Sequence, residues 1–231
     1  MTGNAQNLLQ DGLDGLHYRC YESSEYEGVE NEAYLVVVDE DLTGTITVPE
    51  TVTQNGIVYT VTVIDENSFQ QRPISAIVLS DGIRRISEDA FSECKNLTSV
   101  YIGKNIDYID EDAFSGCDAL RDFTILAEIP PRVDYKCDPI DEELRAKITI
   151  HAPKEFLDNY KNDKEFWGTF GGYDDNIDET VFTPTAIGKI ENRPSFVNRK
   201  SFDLQGRQLS VPGKGIIIRQ ENGQTRKEIT K

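Results

Sequence analysis

Three stretches decide the fold: Glu66-Asn-Ser-Phe69, Glu88-Asp-Ala-Phe91 and Glu111-Asp-Ala-Phe114. Their phenylalanines are 22 and 23 residues apart, and Ile64, Ile86 and Ile109 keep the same step upstream. Downstream, Cys94 and Cys117 recur, then Leu97 and Leu120, with Ile74 in the leucine place of the first copy. Each copy ends in a short alternating run: Ile77 and Leu79, Val100 and Ile102, Phe123 and Ile125. A fourth run, Ile148 and Ile150, follows a longer insertion. Apolar residues at every second position predict half-buried strands. One copy alone cannot bury its apolar side, so the copies are expected to stack.

A period of roughly 20–29 residues with one strand per copy is that of a leucine-rich repeat solenoid. Stacking would set like residues about 4.8 Å apart, as one phenylalanine and one isoleucine column. The fold class expected is mostly β, within α+β: a short solenoid with a β cap before it, a helical cap after it and a small β tail.

The pattern I-x-E-D-A-F-S-x-C-x-x-L-x-x-V-x-I-G resembles the BspA-type leucine-rich repeat of bacterial surface and secreted proteins. Leu42-Thr-Gly-Thr-Ile-Thr-Val-Pro49 and Gly56-Ile-Val-Tyr-Thr-Val-Thr-Val-Ile64 resemble the lead-in to such repeats. Ile129-Pro-Pro131 and Ala152-Pro-Lys-Glu-Phe-Leu-Asp-Asn-Tyr160, with Trp167, resemble their exit. The likeness covers about residues 42–173. It departs in the first copy, where Arg72 stands for the cysteine and Ser68 for the alanine. The resemblance implies a secreted or cell-surface protein that adheres to host or other cells.

The flanks divide the chain into 8–56, a β cap; 57–173, the repeats with their C-terminal cap; and 185–231, a β module. Leu16–Tyr21, Tyr34–Val38 and Thr45–Val48 are strand-like. Pro153 is expected to open a short helix with Phe156, Leu157 and Tyr160 on one face, and Trp167 and Phe170 to plug that end. The Gly- and Asp-rich stretch Gly171-Gly-Tyr-Asp-Asp-Asn176, then Thr183-Pro184, marks a boundary. From Thr185 onward ten basic residues face four acidic ones. There Phe202-Asp-Leu-Gln-Gly-Arg-Gln-Leu209 and Gly215-Ile-Ile-Ile-Arg219 resemble a type IX sorting module. Gly3-Asn4-Ala5 has the look of a signal cleavage site, so an exported protein with its leader removed is expected.

Composition narrows the function. The 231 residues carry 24 Lys and Arg against 41 Asp and Glu, a net charge of −17. Such a chain repels phosphate backbones, which argues against nucleic acid as a partner. No apolar run approaches the ~18 residues of a membrane span.

Catalytic and metal chemistry find little purchase. Cys20, Cys94, Cys117 and Cys137 have no C-x-x-C spacing for a zinc site. Cys94 and Cys117 share a repeat position and read as buried structural thiols; whether Cys20 and Cys137 pair stays open. Asp39, Asp41, Gly44 and Glu50 fit a calcium-loop spacing. The β-branched run before them and Pro49 after them argue against its flanking helices. Glu88-Asp89 and Glu111-Asp112 are placed at the starts of short helical turns rather than in a glycosidase pair. His17 and His151 come with no nucleophile elbow, phosphate loop or dinucleotide fingerprint. No enzyme, cofactor, metal or catalytic residue is therefore expected.

A binding surface remains. Outward strand residues are expected in the columns Val78, Tyr101, Thr124, Thr149 and Ala76, Ser99, Asp122, Lys147. Arg84, Arg85, Asp107 and Tyr108 flank the second short strand. The binding set expected is Tyr101, Tyr108, Arg84, Arg85, Asp122 and Thr124, with the two tyrosines as anchors. The partner expected is a protein, with a glycan captured for nutrition as the alternative and a hydrolase substrate third.

Overall fold

The computed structural model describes residues 8–11, 15–133, 138–164 and 166–177, and in the tail the strands within 201–230. Cys137, Thr183-Pro184 and the Asp203–Arg207 core of the tail lie outside the described residues. Two compact units are distinguished, residues 1–190 and 191–231.

In the first unit the strands are β1 Leu8–Asp11, β2 Leu16–Tyr21, β3 Glu32–Val38, β4 Gly44–Val48, β5 Thr51–Gln54 and β6 Ile57–Ile64. The repeats add β7 Ile74–Leu79, β8 Arg85–Ile86, β9 Ser99–Ile102, β10 Tyr108–Ile109, β11 Asp122–Ile125 and β12 Arg132–Val133. Helix α1 Glu142–Arg145, β13 Thr149–His151, helix α2 Leu157–Lys161 and β14 Gly172–Asp174 follow. Two sheets form. One runs β14-β13-β11-β9-β7-β4, with every pair parallel. The other runs β1-β2-β3-β6-β8-β10-β12, with β5 added to β6. Its β3-β6-β8-β10-β12 part is parallel. The first strands and the repeats thus share both sheets. Asn55 and Gly56, at φ 52° and 82°, close the β5–β6 hairpin; a two-residue loop with both φ positive favours Asn-Gly.

The core lies between the sheets. Ile77, Val100, Phe123 and Ile150 are fully buried on one side, and Ile64, Ile86 and Ile109 on the other. Phe69 stacks on Phe91 with ring centroids 4.8 Å apart, and Phe91 on Phe114 at 5.0 Å. That spacing is the inter-strand distance, so the aromatic column follows directly from the parallel register.

The turns between the sheets explain the acidic pairs differently from expectation. They are not helical. Asn67, Asp89 and Asp112 have φ of 56°, 55° and 52°, and Gln71, Glu93 and Gly116 have φ of 60°, 59° and 70°. Asn and Asp tolerate this left-handed region better than other residues with a Cβ. The twisted turn aims its N–H groups at the next copy. Asn67, Phe69 and Gln71 donate to the carbonyls of Glu88, Ala90 and Ser92. Asp89, Phe91 and Glu93 donate to Glu111, Ala113 and Ser115. After the third copy, Asp112 and Phe114 donate to Asp138 and Pro139.

The thiols run the other way. Cys94 Sγ donates to the Phe69 carbonyl at 3.0 Å, and Cys117 Sγ to the Phe91 carbonyl at 3.2 Å. Both are fully buried.

Beyond β13 the chain folds over the end of the phenylalanine column. Trp167 lies 6.2 Å from Phe123 and stacks on Phe170 at 5.6 Å. Tyr160 and Phe166 meet Trp167 edge-on. Pro153 starts a turn rather than the helix: Phe156 and Leu157 donate to its carbonyl, and α2 begins at Leu157. In the second unit β15 Ser201–Phe202, β16 Gln208–Leu209, β17 Gly215–Glu221 and β18 Gln224–Thr230 form an antiparallel sheet in the order β16-β15-β17-β18.

Candidate recognition surface

The parallel register sets the outward columns. On the six-stranded sheet one column is Thr47, Val78, Tyr101, Thr124, His151 and Asp174. The other is Thr45, Ala76, Ser99, Asp122, Thr149 and Gly172. Thr149 therefore belongs beside Asp122, where Lys147 was expected, and His151 takes the place expected for Thr149. Phe123 pairs with Ile150, not with Ile148. A slip of two residues keeps the inward and outward faces, so alternation alone could not detect it.

This face is less open than expected. Thr124 is 3% exposed and Val78 5%, so Thr124 is corrected from an outward contact to a buried position beside the half-buried Tyr101. Asp122 is exposed, and its Oδ1 lies 3.1 Å from His151 Nε2.

The opposite sheet presents a different surface. Its register aligns Arg19, Tyr34, Val63, Arg85, Tyr108 and Arg132 in one column. Arg85 holds Asp110 with a fork of two hydrogen bonds, Nε to Oδ2 at 2.7 Å and Nη2 to Oδ1 at 3.0 Å. Its guanidinium also lies 5.2 Å from the centre of the Tyr108 ring. Tyr21 packs on Tyr34 with centroids 4.8 Å apart. Tyr34 donates to Glu32 Oε1 at 3.3 Å, while Ser24 and Thr62 donate to Glu32 Oε2. Burial, then the charge of Glu32, pushes the Tyr34 phenol well above its usual range. The Asp110 hydrogen bond raises the Arg85 guanidinium further above its already high value.

The two sheets enclose one core, so their outer faces look away from each other. Tyr101, Asp122 and Thr124 are on one face; Arg84, Arg85 and Tyr108 are on the other. The six expected residues do not make one surface. Arg19, Tyr21 and Tyr34 escaped the sequence reading because they precede the repeats and follow no period. Only their alternation in β2 and β3 hinted at an outward side.

Elsewhere the side chains are quiet. Burial raises the Cys94 thiol to about 11 and the Cys117 thiol further; a reactive thiol is shifted the opposite way. His17 Nε2 lies 2.8 Å from Asp39 Oδ1, in the segment with calcium-loop spacing, whose following element is strand β4. Among the described residues no group of three or more His, Cys, Asp or Glu is placed to hold a metal ion, and no helix is long and apolar enough to cross a membrane.

No curated protein matches the chain. Among solved structures, a leucine-rich repeat protein from Bacteroides capillosus is similar at 28% identity and a TM-score of 0.47, covering 60% of this chain and 94% of that one. A leucine rich cell surface protein from Faecalibacterium prausnitzii is similar at 18% identity and a TM-score of 0.45, covering 66% of this chain and 41% of that one. The pneumococcal vaccine antigen PcpA is similar at 13% identity and a TM-score of 0.35, covering 65% of this chain and 51% of that one. The chain thus spans about half the length of the latter two or less. The family profile that matches is the BspA type leucine rich repeat region, in six copies over residues 45–141.

Proposed function

We propose that the chain is a secreted or cell-surface recognition protein that binds a protein partner through the β3-β6-β8-β10-β12 face. Its repeats form a short solenoid, closed by the strands before β4 at one end and by Tyr160, Trp167 and Phe170 at the other. One observation carries this reading: the column of Arg19, Tyr34, Arg85, Tyr108 and Arg132 on a chain of net charge −17. Tyr and Arg are the side chains that most often anchor protein interfaces. Arg85 is paired with Asp110 and Arg19 lies 3.8 Å from Asp65, so the anchors offered are the tyrosine rings, the guanidinium planes and the exposed Arg132. The tail within 185–231 serves export in this reading.

The test is a binding screen on matrix proteins and glycans, with Tyr34→Ala, Tyr108→Ala and Tyr101→Ala alongside. Saturable protein binding weakened by the first two and untouched by the third supports this face. Binding lost only with Tyr101→Ala moves the site to the opposite sheet. Competition by free oligosaccharide replaces the protein partner with a glycan.

A further inference from the structure

At the margin of that face, between the loops 103–107 and 127–132, lies a pocket of about 370 Å³. Three cations line it: Arg84, Lys104 and Arg132. Lys104 is occupied, with Nζ 3.1 Å from Asp81 Oδ2. Among the described residues Arg84 makes one long side-chain hydrogen bond, from Nη1 to the Asn105 carbonyl at 3.5 Å, and its buried Nε finds no acceptor. Arg132 is exposed and has no acidic partner among the described residues. A buried guanidinium N–H without an acceptor is costly unless something fills the place.

The wall opposite Arg84 is held firmly. Tyr160 Oη donates to the Ala127 carbonyl at 2.8 Å, Asn159 Nδ2 to Glu128 at 2.7 Å and Trp167 Nε1 to Pro131 at 2.8 Å. On that pinned loop Ile129 is 76% exposed, the most exposed of the large apolar side chains described. A loop fixed by three side chains while presenting isoleucine and proline to solvent is arranged in advance for a contact.

We propose that this pocket binds a single carboxylate on a peptide segment, with an apolar neighbouring side chain resting on Ile129 and Pro130. The planar fork of a guanidinium matches a carboxylate. Asp107 and Glu128 also line the pocket. With Lys104 held by Asp81, the two guanidinium charges of Arg84 and Arg132 are matched by these two carboxylates, so the guanidinium fork and not an excess of positive charge selects the ligand, and a polyanion such as a sulfated glycan is opposed. The assignment of the carboxylate to a protein rests on the recognition reading above; the pocket chemistry itself does not.

The test uses the full chain and an N-acetylated, C-amidated peptide with a single glutamate between leucines, with its glutamine counterpart as control. Titration calorimetry gives affinity, and emission of Trp167, the single tryptophan, reports on the pinned loop. The glutamate peptide should bind, and the glutamine peptide should bind about tenfold more weakly or not at all. Arg84→Gln and Arg132→Gln should each weaken binding by about tenfold. Arg132→Gln lies at the surface, so its result stands even if Arg84→Gln disturbs the fold. No peptide binding, binding indifferent to Arg132→Gln, or a heparin oligosaccharide binding where the peptide does not would each overturn the proposal. If Tyr34→Ala and Tyr108→Ala abolish capture of a protein partner while the peptide stays silent, recognition stands and the pocket falls. If the peptide binds through Arg84 and Arg132 while no partner depends on the tyrosines, the converse holds.

Discussion

Arg72 Nε donates to the Val38 carbonyl at 3.1 Å from the repeat position that Cys94 and Cys117 occupy in the next two copies. The guanidinium thus does for the first copy what the thiols do later: it reaches back to a carbonyl of the preceding segment. What looked in the sequence like a departure from the pattern preserves its hydrogen bond with a longer arm. Arg72→Ala should lower stability by about 1 kcal/mol, the net worth of such a bond. Urea denaturation of the two proteins would measure it.

The buried thiols make a pH prediction. The folded protein holds Cys94 at about 11, above the 9.0 of a free thiol, because burial disfavours the thiolate. Below pH 9 both folded and unfolded chains keep the proton, and the contribution is fully present. As pH rises from 9 through 11 the unfolded chain releases it first, and stability falls. A thiol reagent at pH 8 should leave Cys94 and Cys117 untouched in the folded protein and label both in guanidinium.

Glu88 should titrate late. Glu111 first, then desolvation and Glu66, raise its carboxyl above the usual range, and burial raises Asp112 likewise. A raised carboxyl pKa contributes stability below its unfolded value and loses it as pH climbs through the folded one. These groups should therefore make the protein melt higher as pH is lowered through their folded values toward the ordinary carboxylate range. In Glu88→Gln that gain should shrink, and the melting temperature at pH 7 should be no lower than in the parent.

Removing a phenylalanine from the middle of the column should be severe. Phe91 contacts Phe69 on one side and Phe114 on the other and is fully buried. Phe91→Ala should cost about 3–5 kcal/mol through lost burial and the cavity left. Gln71 is exposed at φ 60°, so Gln71→Gly should instead be neutral or stabilising by about 0.5 kcal/mol. Thermal melts of the pair test whether packing or turn strain dominates at these neighbouring positions.

Legibility followed periodicity. The buried positions of the three copies, from Ile64 to Ile125, could be read because each recurs at a nearly constant step. The step is lost in the insertion after Ile125, and there Ile148 was set beside Phe123 although Ile150 pairs with it. The left-handed turns were hidden because Asp89 and Asp112 suit a helix start and a left-handed turn equally. The recognition face was half visible. Arg85 and Tyr108 lie within the repeats, whereas Tyr34 joins them only through the β3–β6 pairing, a long-range contact that no local pattern announces.

The forward direction of the turn hydrogen bonds bears on how such a chain grows. The first copy offers the second three donors, and the second offers the third the same three. A gene segment of 22 or 23 codons, duplicated in tandem, would therefore insert a module already compatible with the neighbours on either side. The terminal elements would simply move apart. Length in this architecture is an inheritable quantity that recombination can change one unit at a time, while the joints themselves remain the same.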